Sequence, residues 1–243
     1  MRWIEVEVGE GFTFDIVAEV NGFWINYRSE DFEGWKPSRS ELKWVTECIR
    51  NVMADLRMEI PHFALEIVPC WGLGTRNPTC VVDKRKEIIY LRLPIDVVNG
   101  TLCIPLETEE THEDYVFYHE LMHAKDILEG RFPSSGFINP YENPELALIT
   151  SLSHFSLEGR LEKMGKPHKD KRNVIENEYL WASRLERAHA VEVEPGHWQR
   201  RVEWSIKECI REEFEDLCDR LWGKEVTFQE LQSVACRILS EKT

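Results

Sequence analysis

Phe12, Phe14, Ile16, Ala18 and Val20 stand at every second position, Asn21-Gly22 interrupts the run, and Phe23, Ile25 and Tyr27 resume it. Period-two apolarity on both sides of Asn-Gly is the strongest short-range signal for a β-hairpin, because both turn residues tolerate the positive φ that the tightest hairpin turns demand. Trp3 to Val8 alternates in the same way and reads as a strand joined to that hairpin.

Beyond Pro37 the period changes. Ser38 or Ser40 is placed to cap a helix with the apolar stripe Leu42, Val45, Ile49, Val52, Met53 and Leu56, ending before Pro61. Ala64 to Trp71 and Lys86 to Leu93 return to short, β-rich runs, with Pro94 expected to close the second. From about Thr108 the signals are helical almost to the end. Thr111 with Asp114 resembles a capping box for a helix running to Glu129 and stopped by Gly130. Glu145 to Met164 form the next helix, and further helices are expected at about Asp170 to Ala190, Trp198 to Trp222 and Thr227 to Ser240. The fold class is therefore α+β, a β-rich first half with a mostly helical second half. The stretch His189 to Pro195 is the expected boundary between a domain of residues 1–190 and a C-terminal helical appendage of residues 191–243, although one continuous domain reads equally well.

The formal net charge of -14 opposes a nucleic-acid partner, since such binders displace counterions from phosphates with a basic footprint. Lys163, Lys166, Lys169, Lys171 and Arg172 cluster locally, and a solvated helix end accounts for them better than a nucleic-acid site. The N-terminus lacks the apolar run of a secretory signal, and no segment is apolar and long enough to span a bilayer, so the expectation is a cytoplasmic protein with no membrane partner. The seven cysteines form no CxxC pair and sit in apolar segments, as reduced buried thiols do. Gln199, Gln229 and Gln232 are the only glutamines among abundant Glu, Lys and Arg, a thermophile-like balance under which Cys70 and Cys80 are the candidate disulfide pair.

Within Tyr-His-Glu-Leu-Met-His-Ala-Lys-Asp, residues 118 to 126, His119, Glu120 and His123 spell HExxH. On a helix the two imidazoles share a face and reach one metal ion, and Glu120 is turned toward the water that ion would bind. The neighbours Val116, Phe117, Leu121, Met122 and Ala124 are uncharged, which suits a buried helix and neutral imidazoles. Catalytic zinc takes three protein ligands and a water. Downstream, His154, Glu158 and Glu162 recur every four residues beside the apolar stripe Leu157, Leu161 and Met164. Glu158 is placed to supply the third ligand; His154, one turn earlier, is its rival and would make a three-histidine site. Glu129 stands where HExxHxxGxxH has its last ligand, but that pattern needs glycine where Asp126 stands. Glu162 or Asp126 could accept the outer N–H of a ligating imidazole.

On these two motifs the chain, over roughly residues 40 to 165, resembles the HExxH zincin metallopeptidases, and specifically the gluzincin branch. There a glutamate on a following helix is the third ligand and an acidic residue four positions on steadies the histidines. Glu158-Gly159 looks like the Glu-Gly of several gluzincins, and the order of strands, active-site helix and glutamate helix is similar to compact archaeal minigluzincins. The resemblance implies a zincin-like fold, Zn²⁺ as cofactor and a peptide or protein as substrate. His119, His123 and Glu158 would hold the metal, with Glu120 as general base. Lys125 departs from the family, whose residue there is usually apolar. Tyr141, His154, Arg160 and Tyr179 are the candidates for stabilising the transition state. A metal-retaining, catalytically weak binding or scaffold protein is the alternative reading of the same residues.

Overall fold

A computed structural model gives the fold. It describes residues 5–8, 12–15, 18–27, 32–59, 62–70, 78–83, 87–104, 114–133, 144–183, 186–195, 197–205 and 210–240. Among these residues the architecture is α+β, with a mixed sheet in the N-terminal half and six helices, mostly in the C-terminal half. The chain forms two compact units, Met1–Ser135 and Gly136–Thr243. No helix among the described residues is long and apolar enough to cross a membrane.

In the first unit, β1 (Glu5–Val8) pairs antiparallel with β2 (Phe12–Asp15) as a separate two-stranded sheet. The strand read near the N-terminus therefore does not join the Asn-Gly hairpin; Gly9-Glu10-Gly11, between these two runs, is a hairpin signal of its own. The Asn-Gly hairpin itself is present: β3 (Ala18–Val20) and β4 (Phe23–Tyr27) pair antiparallel, and Asn21 and Gly22 take φ of 53° and 80°. The Asn21 amide donates to Thr46 Oγ1 at 2.9 Å, tying the turn to α1 (Arg39–Asp55). Ser38 caps α1 in a full capping box, with Glu41 Oε2 accepting from Ser38 N at 2.6 Å. Glu41 Oε1 reaches on to the backbone N of Leu102 at 2.7 Å, so a single carboxylate serves both a helix start and a strand. Of the expected stripe, Val45, Ile49, Val52 and Leu56 are at most 2% exposed.

The larger sheet runs β3-β4-β5-β7-β6, with β5 (His62–Pro69), β6 (Thr79–Asp83) and β7 (Ile88–Val98). β4, β5 and β7 are parallel, while β6 lies antiparallel along β7. Both central strands are apolar nearly throughout because both their faces are covered. Glu66 and Arg92 form an ionic pair across them, directly opposite in register, with Arg92 Nε 2.5 Å from Glu66 Oε2. Pro94 does not close β7, which continues to Val98. Ile95 O accepts from Cys70 N, so the backbone of Ile95 faces β5 and that of Pro94 faces the other way. On that side β6 pairs only as far as Arg92, and β8 (Thr101–Cys103) begins at Asp96. Among the described residues the missing N–H of Pro94 thus falls between the two pairings, where neither takes a donor from it. Cys70 and Cys80 are buried with no disulfide between them. Burial, and then the nearby Glu120 carboxylate, push the Cys80 thiol well above its ordinary range, so it stays protonated.

The helix carrying HExxH, α2 (Tyr115–Leu128), packs on α1 and on β6. Gly130 follows it with φ of 79°. Asp114 makes no side-chain cap bond, and Thr111 lies outside the described residues, so the expected capping box is not observed in the described part.

The second unit contains α3 (Pro144–Lys163), α4 (Lys171–Ala182), α5 (Ile210–Leu221) and α6 (Phe228–Ser240). Between α4 and α5 the expected helices give way to an antiparallel pair, β9 (Glu186–Glu194) and β10 (His197–Ser205). Val191 and Val193 alternate with Glu192 and Glu194, and Pro195-Gly196 follows: a turn signal inside a period-two run whose Glu and Arg content imitates a helix. Phe155 on α3 and Phe214 on α5, both fully buried, meet edge to face at 5.7 Å. Gly159 explains how closely α3 approaches the chain after α5. A Cβ at that position would stand 2.8 Å from the backbone Cα of Gly223. Lys163 Nζ donates to Gly223 O at 2.7 Å in the same contact.

Candidate metal centre

α2 is buried along most of its length, with Phe117, Leu121 and Ala124 at 0% exposure. His119 and His123 are among its few partly exposed side chains. They project one turn apart, with ring centroids 4.9 Å from each other and planes at 78°. Tyr115, one further turn back, places its hydroxyl 3.0 Å from His119 Nδ1. Glu120 is 8% exposed, beside Cys80 on β6. The strand bordering α2 is thus the outer strand β6 and not β7, which has β5 on one side and β6 on the other. Two imidazoles and a neighbouring carboxylate on a buried helix are a donor set of the kind that suits a zinc-type ion.

The other residues near the end of α2 are committed locally. Asp126 accepts from Arg131 Nε at 3.0 Å and Nη2 at 2.7 Å. Lys125 pairs with Glu129 at 2.5 Å, and Arg131 pairs with Glu129 too. Burial pushes the Glu129 carboxyl up, but these two cations outweigh it and hold the group below its ordinary range. Asp126 and Glu129 therefore serve the helix C-terminus, where cations complement the dipole.

On α3 the ladder residues have separate partners. His154 Nδ1 lies 2.7 Å from Glu178 Oε1 on α4, and the second oxygen of Glu178 accepts from Ser151 Oγ at 2.6 Å. Glu158, 1% exposed, accepts from the backbone N of Lys169 at 2.8 Å and so holds the chain entering α4. Glu162 accepts from Trp222 Nε1 at 2.5 Å. Of the transition-state candidates, Tyr141 lies outside the described residues, Arg160 is 9% exposed on α3, and Tyr179 sits on α4. Of the local basic cluster, Lys163 is bonded to Gly223 O and Lys171 is paired with Asp219.

Tyr115 and Glu178 are the two partners that sequence reasoning missed. Tyr115 was open to view, since it stands four residues before His119 on the same helix face. Glu178 was not, because its place beside His154 depends on how α4 packs along α3. Comparison with known proteins adds no neighbour: no family model matches the chain, no curated protein matches it, and no solved structure matches it.

Proposed function

We propose that the protein is a zinc-dependent hydrolase of peptide bonds, with His119 and His123 as metal ligands and Glu120 as general base. The observation that carries the reading is the pair of adjacent imidazoles on α2, partly exposed on an otherwise buried helix with Glu120 beside them.

A bound zinc ion would supply Lewis-acid polarisation of the scissile carbonyl and would acidify the attacking water. With that chemistry supplied, Glu120 would accept the proton of the attacking water and return it to the leaving amine. Tyr115, through Nδ1, fixes the ring plane of His119. Among the described residues β6 is the outer strand of the sheet, against α2, and an extended peptide would add alongside it. Among the described residues Cys70, Cys80 and Cys218 are buried thiols outside any disulfide, which agrees with a cytoplasmic setting.

The test is metal analysis with a quenched peptide library, comparing wild type and Glu120→Gln. Zinc content should be equal, while cleavage by the variant should fall on the order of 1,000-fold. Cleavage that survives in Glu120→Gln refutes the mechanism. A wild-type protein that holds zinc and cleaves nothing is instead the binding or scaffold protein that the same residues allow.

A further inference from the structure

Tyr115, His119 and His123 stand four apart in turn on α2, so all three side chains rise on one face of a single helix in the first unit. Tyr115 is 3% exposed in the first turn. Its hydroxyl lies 3.0 Å from His119 Nδ1, with the two rings 5.5 Å apart between centroids and tilted by 51°. Packing alone would be met by phenylalanine, as it is at Phe117, fully buried on the same helix. The hydroxyl needs a polar partner as well, and the one it meets is an imidazole nitrogen. That bond holds the ring of His119, because a half-turn about its Cβ–Cγ bond would put a carbon where Nδ1 stands. With Nδ1 engaged, Nε2 is the nitrogen through which His119 can take an ion together with His123, whose ring centroid is 4.9 Å away. A ligating imidazole carries its proton on the other nitrogen, and a phenol oxygen can accept from it.

We infer that Tyr115 is a positioning residue of the metal centre, selecting Nε2 as the ligating atom of His119 and accepting from Nδ1–H once the ion is bound. This rests on the reading of His119 and His123 as metal ligands, and it uses residues of α2 alone. Outer partners of a ligating imidazole change metal affinity by about 10- to 100-fold, and a neutral hydroxyl belongs at the lower end of that range.

The experiment is a zinc titration of the metal-free full chain against a chromophoric chelator, for wild type, H119A, H123A and Y115F, with melting of each metal-free protein alongside. In the cobalt(II)-loaded wild type and Y115F, proton magnetic resonance also follows the exchange of His119 Nδ1–H with water. H119A and H123A should lose tight binding, and Y115F should bind about 10-fold more weakly with its Nδ1 proton exchanging faster than in wild type. Wild-type affinity in Y115F, with H123A impaired, overturns the role of Tyr115 and leaves the metal reading standing. Weaker binding with the Nδ1 exchange unchanged overturns it too, since the loss would then be one of packing. If Y115F fails to fold, the wild-type chain carries the decision: an Nδ1 proton that exchanges as fast as that of a free metal-bound imidazole overturns the role, and a protected one supports it. A wild-type chain that takes no zinc, or an H123A that binds as tightly as wild type, overturns the metal reading itself and the inference with it.

Discussion

α2 and α3 both carry chemistry-bearing residues four apart, yet the spacing means different things on the two helices. On α2, His119 and His123 are brought ring to ring, 4.9 Å apart, by the helix alone. On α3, His154, Glu158 and Glu162 share a face and separate in function: one pairs with Glu178, one takes the backbone of Lys169, one takes the indole of Trp222. A four-residue period guarantees a common face, and neighbours decide what that face does. Where the neighbours are mostly apolar the residues are left facing one another, as on α2. Where three different segments pack alongside, each residue is claimed by its own partner.

The sharpest way to break this contrast is His123→Ala, which under the proposed function should weaken zinc binding by more than 1,000-fold through loss of a direct ligand. A metal-free melting temperature close to wild type would show that the loss is one of ligation and not of folding. Next in size is Gly159→Ala, which forces a methyl against the Gly223 backbone and should destabilise the second unit by about 3 kcal/mol or more in denaturant unfolding. Unchanged unfolding would mean that α3 does not approach that turn as closely as described. Glu158→Gln should cost about 1–2 kcal/mol in denaturant unfolding by weakening the bond from Lys169 N. Unchanged unfolding would mean that Glu158 does not hold the chain entering α4.

Smallest is a pH effect on α1. Burial pushes the Glu41 carboxyl up, but the backbone N–H of Leu102 and the groups of Ser38 outweigh that and hold it below its ordinary 4.5. A depressed carboxyl contributes stability that is whole above the ordinary value and lost as pH falls through the lowered folded value. Glu41→Gln should therefore be less stable than wild type at neutral pH, with the difference closing on acidification; a difference constant across that range would sink the assignment.

Much of the first unit was legible because its signals are local. Asn21-Gly22 marked its own turn through two positive φ values, and Ser38 with Glu41 capped α1 as their spacing implies. HExxH needed only helical geometry. The errors came where a second strand or helix decides the outcome. Pro94 reads as a strand end until β6 and β8 are known to leave its side vacant. Residues 186 to 190 and 198 to 205 read as helix, and the stretch between as a boundary loop, because Glu and Arg mask the alternation that Val191 and Val193 carry up to Pro195-Gly196. Glu178 carries no mark in the sequence at all, since it is defined by the pairing of two helices.

The position of Pro94 also bears on how the sheet keeps its two antiparallel neighbours apart. β6 and β8 share one side of β7, and either could in principle creep along it by two residues and keep its faces matched. At Pro94 such a shift meets a step with no hydrogen to give. The proline thus acts as a mechanical stop between two sliding partners, a boundary mark written into the strand they share.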